Sequence, residues 1–271
     1  MGIDIDISKR LGYGGSAEIS PASAPAVQVL ITGGGFEMSQ SPAYNSMVNI
    51  YPPVGSATSD SRSKVLHADG VREYTASLNF DVTTAIMALL TKDALLSRGY
   101  QFDIGIHDGN NHWTMSECRA TQITLSGAPG GLITCVLSAT GLAAWDSGPT
   151  VVNDFIRNSD VPLGYWWSGG ADIRDWNFVM SQAVTSVYQN KNTPEPRYLK
   201  IGEIEYMLTV NLYNDHGYDD KTIQVASETF QLTGITTGHG YSFNGITDLG
   251  TYSHTFTSAA GPNGSNSVII Q

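Results

Sequence analysis

Two short phrases recur in this chain in the same order. Residues 36–40, Phe-Glu-Met-Ser-Gln, return at 178–182 as Phe-Val-Met-Ser-Gln. Residues 70–74, Gly-Val-Arg-Glu-Tyr, return at 202–206 as Gly-Glu-Ile-Glu-Tyr. The first pair is offset by 142 residues and the second by 132, so the second copy has ten fewer residues between its phrases. An internal repeat of this kind predicts two homologous domains joined head to tail.

Strand-like alternation dominates both copies. Residues 71–82 place Tyr74, Leu78 and Phe80 on one side and Ser, Thr and Asn on the other, which predicts a strand with one apolar and one polar face. The period then changes, and Thr83-Thr84 can cap a helix of about fifteen residues that stops near Gly99. Turn-rich segments at 108–111 and 127–131 predict hairpins after it. The second copy lacks a comparable helix.

The pattern predicts a mainly β fold of two tandem barrel- or sandwich-type domains, the first with one packed helix. We expect an extended N-terminal arm that needs a partner surface to order it, and a Gly/Pro-rich joint between the domains. The predicted boundaries are 1–24 for the arm, 25–145 for the first domain, 146–171 for the linker, 172–260 for the second domain and 261–271 for a C-terminal tail.

Composition excludes several functional classes. The chain has 271 residues, of which only 14% are charged, and its net charge is −11. Tight binding to a phosphate backbone needs clustered Lys and Arg, and the sequence has no such cluster. No apolar run approaches the roughly 18 residues of a membrane span. The N-terminus resembles no signal peptide, so we expect a protein that folds in a cytoplasm without a membrane anchor.

Candidates for chemistry are weak. Titratable residues gather only beside predicted turns, at His107, Asp108 and His112, and again at Asp215, His216, Asp219 and Asp220. Neither group has the spacing of a known metal or catalytic motif. The cysteines, Cys118 and Cys135, are out of register in the predicted hairpin, so buried free thiols are expected. We therefore predict no catalytic residue, no metal site, no cofactor and no enzyme activity.

Two features favour contacts between subunits. Basic residues lie in or beside the two long loops in the same relative place in each copy, at Arg62, Lys64 and Arg72 and at Lys191, Arg197 and Lys200. They are either ordinary solvated loop residues or contacts to an acidic neighbouring subunit. The aromatic triplet Tyr165-Trp166-Trp167 either fills the seam between the domains or forms an exposed patch for sugar or protein.

The order of these elements resembles the tail tube protein family of long-tailed bacteriophages, which is related to baseplate hub proteins. The resemblance rests on a strand with Phe-x-Met-Ser-Gln, a long loop, and an alternating strand with Gly-x-x-Glu-Tyr, followed in the first copy by a helix and closing hairpins. It covers about 26–145 and, less fully, 171–260. The missing helix in the second copy departs from the family pattern.

The resemblance implies a structural virion protein whose domains line a channel for DNA passage during ejection. A duplicated chain implies a trimeric ring with six domain positions, stacked on other rings and touching other tail proteins such as tape measure or sheath. DNA would cross the lumen without specific binding, after assembly in the host bacterial cytoplasm. A baseplate hub or tube-initiator ring is one alternative. A carbohydrate-binding β-sandwich that uses Tyr165, Trp166 and Trp167 is another.

Overall fold

A computed structural model describes the residues in the ranges 16–22, 25–40, 43–44, 67–68, 71–91, 95–107, 112–128, 131–148, 173–188, 194–213, 222–225, 228–232, 236–242, 251–260 and 268–270. The fold of these residues is mainly β. The strands of the first half are β1 (Ser16–Pro21), β2 (Val27–Gln40), β3 (Ala43–Tyr44), β4 (His67–Ala68), β5 (Arg72–Asp81), β6 (Phe102–His107), β7 (His112–Gly127), β8 (Thr134–Gly141) and β9 (Ala143–Gly148). Those of the second half are β10 (Ile173–Val187), β11 (Tyr198–Leu212), β12 (Thr222–Val225), β13 (Glu228–Leu232), β14 (Thr236–Ser242), β15 (Thr251–Ala260) and β16 (Val268–Ile270).

Six strands of the first half close into a barrel-like antiparallel sheet. The pairing runs β6–β1–β2–β5–β8, and β7 closes the path because it pairs with both β8 and β6. Strict alternation on β5 sends every second side chain inward, from Tyr74 to Phe80. These inward residues join a single apolar core with residues of β1, β6, β7 and β8. Closure removes most of the sheet edges that a lone domain would expose.

The N-terminal segment differs from its predicted form. The sequence suggested an extended arm over 1–24, but Ser16–Pro21 is strand β1, which pairs with β2 on one side and β6 on the other. Ala17 and Ile19 are almost completely buried in the core. Their burial against two neighbouring strands orders this segment without another chain.

The helix is shorter than expected. Helix α1 spans Thr84–Thr91, eight residues, and the predicted cap is confirmed because the Thr83 hydroxyl accepts a hydrogen bond from Ile86 N at 3.3 Å. Beyond it, residues 95–99 form turns, and Gly99 has a φ of +69°. This segment ends the helix because its polar groups bond to the second copy: Arg98 Nε donates to Gly202 O at 2.8 Å. A continued helix could not make these contacts.

The second half extends the same sheet. Strand β10 pairs with β7, and β11, β15 and β14 follow in that order. Strands β12, β13 and β16 form a separate three-stranded sheet. Between β11 and β14 the described residues therefore form strands where the first copy has α1 and β6. The predicted boundary between 145 and 146 falls inside β9, and residues 268–270, in the expected tail, form β16.

The two repeated phrases form hairpins in the same register. Met38 lies opposite Tyr74 in β2–β5, and Met180 lies opposite Tyr206 in β10–β11. Both tyrosines are buried. The next strands follow the same order, so β2–β5–β8–β7 corresponds to β10–β11–β15–β14. This correspondence supports the predicted duplication and gives one eight-stranded sheet in which β7 and β10 meet at a seam.

Candidate assembly surface

One face of this sheet is lined by small polar side chains across both copies. Register rows cross β5, β8, β7, β10 and β11 without a break. We define the polar face as three such rows, namely Ser77–Ser138–Gln122–Ser181–Glu205, Asn79–Val136–Thr124–Val179–Met207 and Asp81–Thr134–Ser126–Asn177–Thr209. Hydroxyls along it bond to each other, as Ser126 Oγ and Thr134 Oγ1 do at 2.8 Å. The first and third rows are wholly polar, the middle row also contains Val136, Val179 and Met207, and the surface spans the seam.

The three rows of the polar face carry net negative charge. Asp81 and Glu205 belong to them, Glu203 lies two residues before Glu205 on β11, and Glu73 lies four residues before Ser77 on β5, beyond a row in which Arg119 lies opposite Thr140. None of the residues in the three rows is Lys or Arg. Glu73, Glu203 and Glu205 are all exposed. A surface with this charge does not attract phosphate groups, so nucleic acid could pass beside it without being retained.

The opposite face is apolar and is covered by the first copy. Trp176, Phe178 and Met180 on β10 and Leu208 on β11 are buried in the common core. The turn segment 95–99 lies against β10 and β11, where the Tyr206 hydroxyl donates to Leu96 O at 2.8 Å. Burial there raises the pKa of Tyr206 to about 12. The single core fixes the second copy's hairpin relative to the barrel.

Gln182, the last residue of the repeated Phe-x-Met-Ser-Gln phrase, closes the seam. Its side chain is 6% exposed. The amide nitrogen donates to Ala120 O on β7 at 3.1 Å, and the amide oxygen accepts a hydrogen bond from Gly99 N at 2.7 Å. The buried side chain of Gln182, in the second copy, therefore satisfies two backbone groups in the first copy. Replacing this side chain would leave both groups without that partner, at a cost in stability.

The segment before β11 docks on the start of β5. Arg72 Nη1 lies 2.9 Å from Glu195 Oε1, and the Tyr74 hydroxyl donates to Glu195 Oε2. Backbone contacts reinforce the pair, since Arg72 N donates to Pro194 O at 2.8 Å and Tyr188 Oη to Arg72 O at 2.8 Å. Partial burial and the bond to Glu195 raise the pKa of Tyr74. The contact ties the second copy's hairpin tip to the first copy.

The structure separates the basic residues that the sequence grouped. Arg72 is engaged within the chain by Glu195, so its described partner is not a neighbouring subunit. Arg197 and Lys200 are exposed at the start of β11 and stay candidates for an intermolecular contact. The other predicted interface residues lie outside the described ranges: Arg62, Lys64, Lys191, Tyr165, Trp166 and Trp167.

Sequence reasoning did not assign Gln182 and Glu195, two of the residues that join the copies. Gln182 carried a signal, because it ends a phrase that occurs twice, but its bonds reach 62 and 83 residues along the chain. No sequence signal marked Glu195, because its partners Arg72 and Tyr74 are more than 120 residues away along the chain. Alternation predicts the face of a residue but not its long-range partner.

Two edges of the eight-stranded sheet have no partner among the described strands. Residues 33–40 of β2 pair only with β5, and Thr236–Ser242 (β14) pairs only with β15. An unpaired edge exposes a row of backbone donors and acceptors and is a template for pairing with another chain. The two edges stand at opposite ends of the β2–β5–β8–β7–β10–β11–β15–β14 order.

Two histidines lie side by side where β6 ends and β7 begins. His107 and His112 stack with ring centroids 4.0 Å apart, and burial lowers the pKa of His107. Within those ranges, no three residues among His, Cys, Asp and Glu lie together as a metal ion requires. The described part of the chain also contains no helix long and apolar enough to span a membrane. Both cysteines are buried and unpaired, as predicted.

Comparison of the chain with protein-family models and with curated proteins gives no match.

Proposed function

We propose that this chain is a structural subunit of a bacteriophage tail tube, in which copies of the chain form rings around a channel for DNA. The observation that carries the proposal is the eight-stranded sheet, whose two halves share one register and one continuous polar face. Because the two halves are equivalent, further chains can extend the sheet through the same kind of contact that joins β7 to β10. The sheet can then close into a ring. The resemblance to tail tube proteins is the reason for proposing that this ring belongs to a bacteriophage tail.

The geometry suits a ring wall. On β5, β7, β8, β10 and β11 the apolar side chains lie in the chain's own core, so the polar face of these strands is the one left for water. Closure between chains would pair the edges of β2 and β14 that have no partner among the described strands, and an unpaired edge is an aggregation hazard in a monomer. Cyclic symmetry is the usual way in which one kind of interface closes without leaving ends.

The charge suits passage of DNA. A tube must hold its bore open and let the genome slide, which requires a wall without clustered cations. The rows of the polar face supply Ser, Thr, Asn and Gln together with Asp81 and Glu205, and three apolar residues, Val136, Val179 and Met207, lie in the middle row. In this proposal the chain's partners are other copies of itself and other tail proteins such as tape measure or sheath. The site of action is the virion.

Purified protein tests the proposal. We expect light scattering after size exclusion to give a particle of about 87 kDa, three times the 29.0 kDa of one chain, and negative-stain images to show rings with a central hole. Stacks of many rings would favour the tube, whereas single rings that never stack would favour a hub or initiator. A monomer at all concentrations would overturn the proposal, and its retention on a polysaccharide resin would favour the carbohydrate-binding alternative.

A further inference from the structure

We propose that β14 of one chain pairs antiparallel with β2 of the next chain in the register of the internal β7–β10 seam. The inference rests on the proposed function only in requiring that chains assemble through their sheet edges. Its basis is the internal repeat, because β2 corresponds to β10 and β14 corresponds to β7. The contact that joins the two copies within a chain then recurs between chains, and each edge that has no partner among the described strands pairs with a second copy of this chain.

The register follows from pairs already present in the chain. Tyr74 lies opposite Gly141 as Tyr206 lies opposite Ser258, which aligns β8 with β15. In that alignment Thr134 corresponds to Thr251. Their partners on the next strand are Ser126 and Ser242, so these two serines are equivalent.

At the internal seam, Ser126 lies opposite Asn177. The repeat offset places Gly35 at the position of Asn177. Gly35 of one chain should therefore lie opposite Ser242 of the next. The pairs that follow along the strands are Phe36 with Tyr241, Glu37 with Gly240, Met38 with His239, and Ser39 with Gly238.

The repeated glutamine gives this seam a specific residue. Gln182 bonds to Ala120 O across the internal seam. Its repeat equivalent is Gln40, and the equivalent of Ala120 is Thr237 in β14, because Ala120 lies opposite Ala139 as Thr237 lies opposite Phe256. We infer that the Gln40 amide bonds to the backbone of β14 in the neighbouring chain, near Thr237. Gln40 would then be a positioning residue that fixes the register between chains.

A pair of engineered cysteines tests the register directly. Ser39→Cys with Gly238→Cys places thiols directly opposite each other on the polar side of the proposed seam. The matched control, Ser181→Cys with Gln122→Cys, occupies the equivalent positions inside one chain, where the two residues are known cross-strand partners. Native Cys118 and Cys135 are buried and do not compete. Copper phenanthroline and air supply the oxidant that turns each thiol pair into a disulfide.

We expect the oxidised Ser39→Cys/Gly238→Cys protein to run as dimers and trimers, and nothing larger, on a non-reducing denaturing gel. The control should stay a monomer with altered mobility. Ser39→Cys with Gly240→Cys lies on the same face but out of register, and should crosslink at least about tenfold more slowly. Efficient crosslinking of that out-of-register pair, or none of the in-register pair in assembled rings, would overturn the register while leaving ring formation intact.

Glutamine variants give an independent readout. Gln182→Met should lower the melting temperature of the isolated chain by about 2 °C or more, since two buried backbone groups lose their partner. Gln40→Met should leave that temperature unchanged and raise the protein concentration at half-assembly by about tenfold. Unaltered assembly of Gln40→Met would overturn the role of Gln40. Failure of the wild-type protein to assemble at all would overturn both this inference and the proposed function.

Discussion

Trp176 packs directly over Gly127, its cross-strand partner, so closely that a Cβ atom on Gly127 would lie 2.8 Å from the indole Nε1. The absence of a side chain at 127 is therefore what allows β10 to pair with β7. The two copies meet along this pairing, so the close packing of the Trp176 indole over Gly127 determines how β10 and β7 fit together at the seam.

We expect Gly127→Val to destabilise the chain by about 1–3 kcal/mol, because overpacking forces the indole or the strands to move. Urea unfolding at pH 7 measures the change. Gly33→Ala is the matched control, since its Cβ would meet only the flexible Asn79 side chain, at 3.3 Å, and its stability should change by less than about 0.5 kcal/mol. Equal stability of Gly127→Val and wild type would show that the seam is looser than described.

The ion pair between Arg72 and Glu195 should contribute little to the free energy of unfolding. The coupling between the two side chains should still be measurable. Because both side chains are about one-third exposed, we expect a double-mutant cycle with Arg72→Ala and Glu195→Ala to give a small coupling free energy that decreases in 1 M salt. The control cycle combines Arg174→Ala, at the far end of β10, with Glu195→Ala and should give no coupling. A coupling of zero at low salt would mean that the segment before β11 does not dock on β5 in solution.

Stability should fall as pH drops below about 6.5, and His107 should account for part of the fall. Burial lowers the pKa of His107, the neighbouring His112 lowers it further, and Glu18 opposes them. The unfolded chain therefore binds this proton more readily than the folded one, so folding loses stability as pH falls from 6.5 towards the depressed pKa.

Melting temperatures of wild type and His107→Phe between pH 7.5 and 5 test this point. The variant keeps an aromatic ring against His112 and removes the titrating group, so its melting temperature should depend less steeply on pH. Parallel curves for the two proteins would exclude His107 as the source of the pH dependence.

The two cysteines should be unreactive in the folded protein. Cys118 and Cys135 are buried, and burial raises the pKa of both thiols, so the reactive thiolate is scarce at neutral pH. A thiol reagent should modify neither residue in native buffer and both in 6 M guanidinium. Thr75→Cys, exposed on β5, provides a fast-reacting reference. Rapid native labelling of the wild type would indicate that β7 or β8 opens locally.

Much of the fold could be predicted from the sequence, because its signals are local. Alternation along Arg72–Asp81 fixed the buried face of β5, and the Thr83 hydroxyl capped α1 as expected. The repeated phrases predicted two equivalent hairpins, and the shared register of Met38–Tyr74 and Met180–Tyr206 supports them. Each of these signals lies within a few residues of the structure it specifies.

The features that could not be predicted depend on distant partners. Ser16–Pro21 resembles a loop in sequence and becomes β1 only because β2 and β6 flank it. The helix ends early because Arg98 and Gly99 bond to the second copy. Arg72 resembled a free basic residue until the fold brought Glu195 to it. Tertiary contacts of this kind override local propensity.

Electron cryomicroscopy of the assembled particle tests the central claim most directly. The account predicts a closed ring of three chains in which β14 of each chain continues into β2 of the next, with Ser77, Gln122 and Ser181 facing a central bore. A ring whose polar face points outward, or particles without a bore, would contradict it.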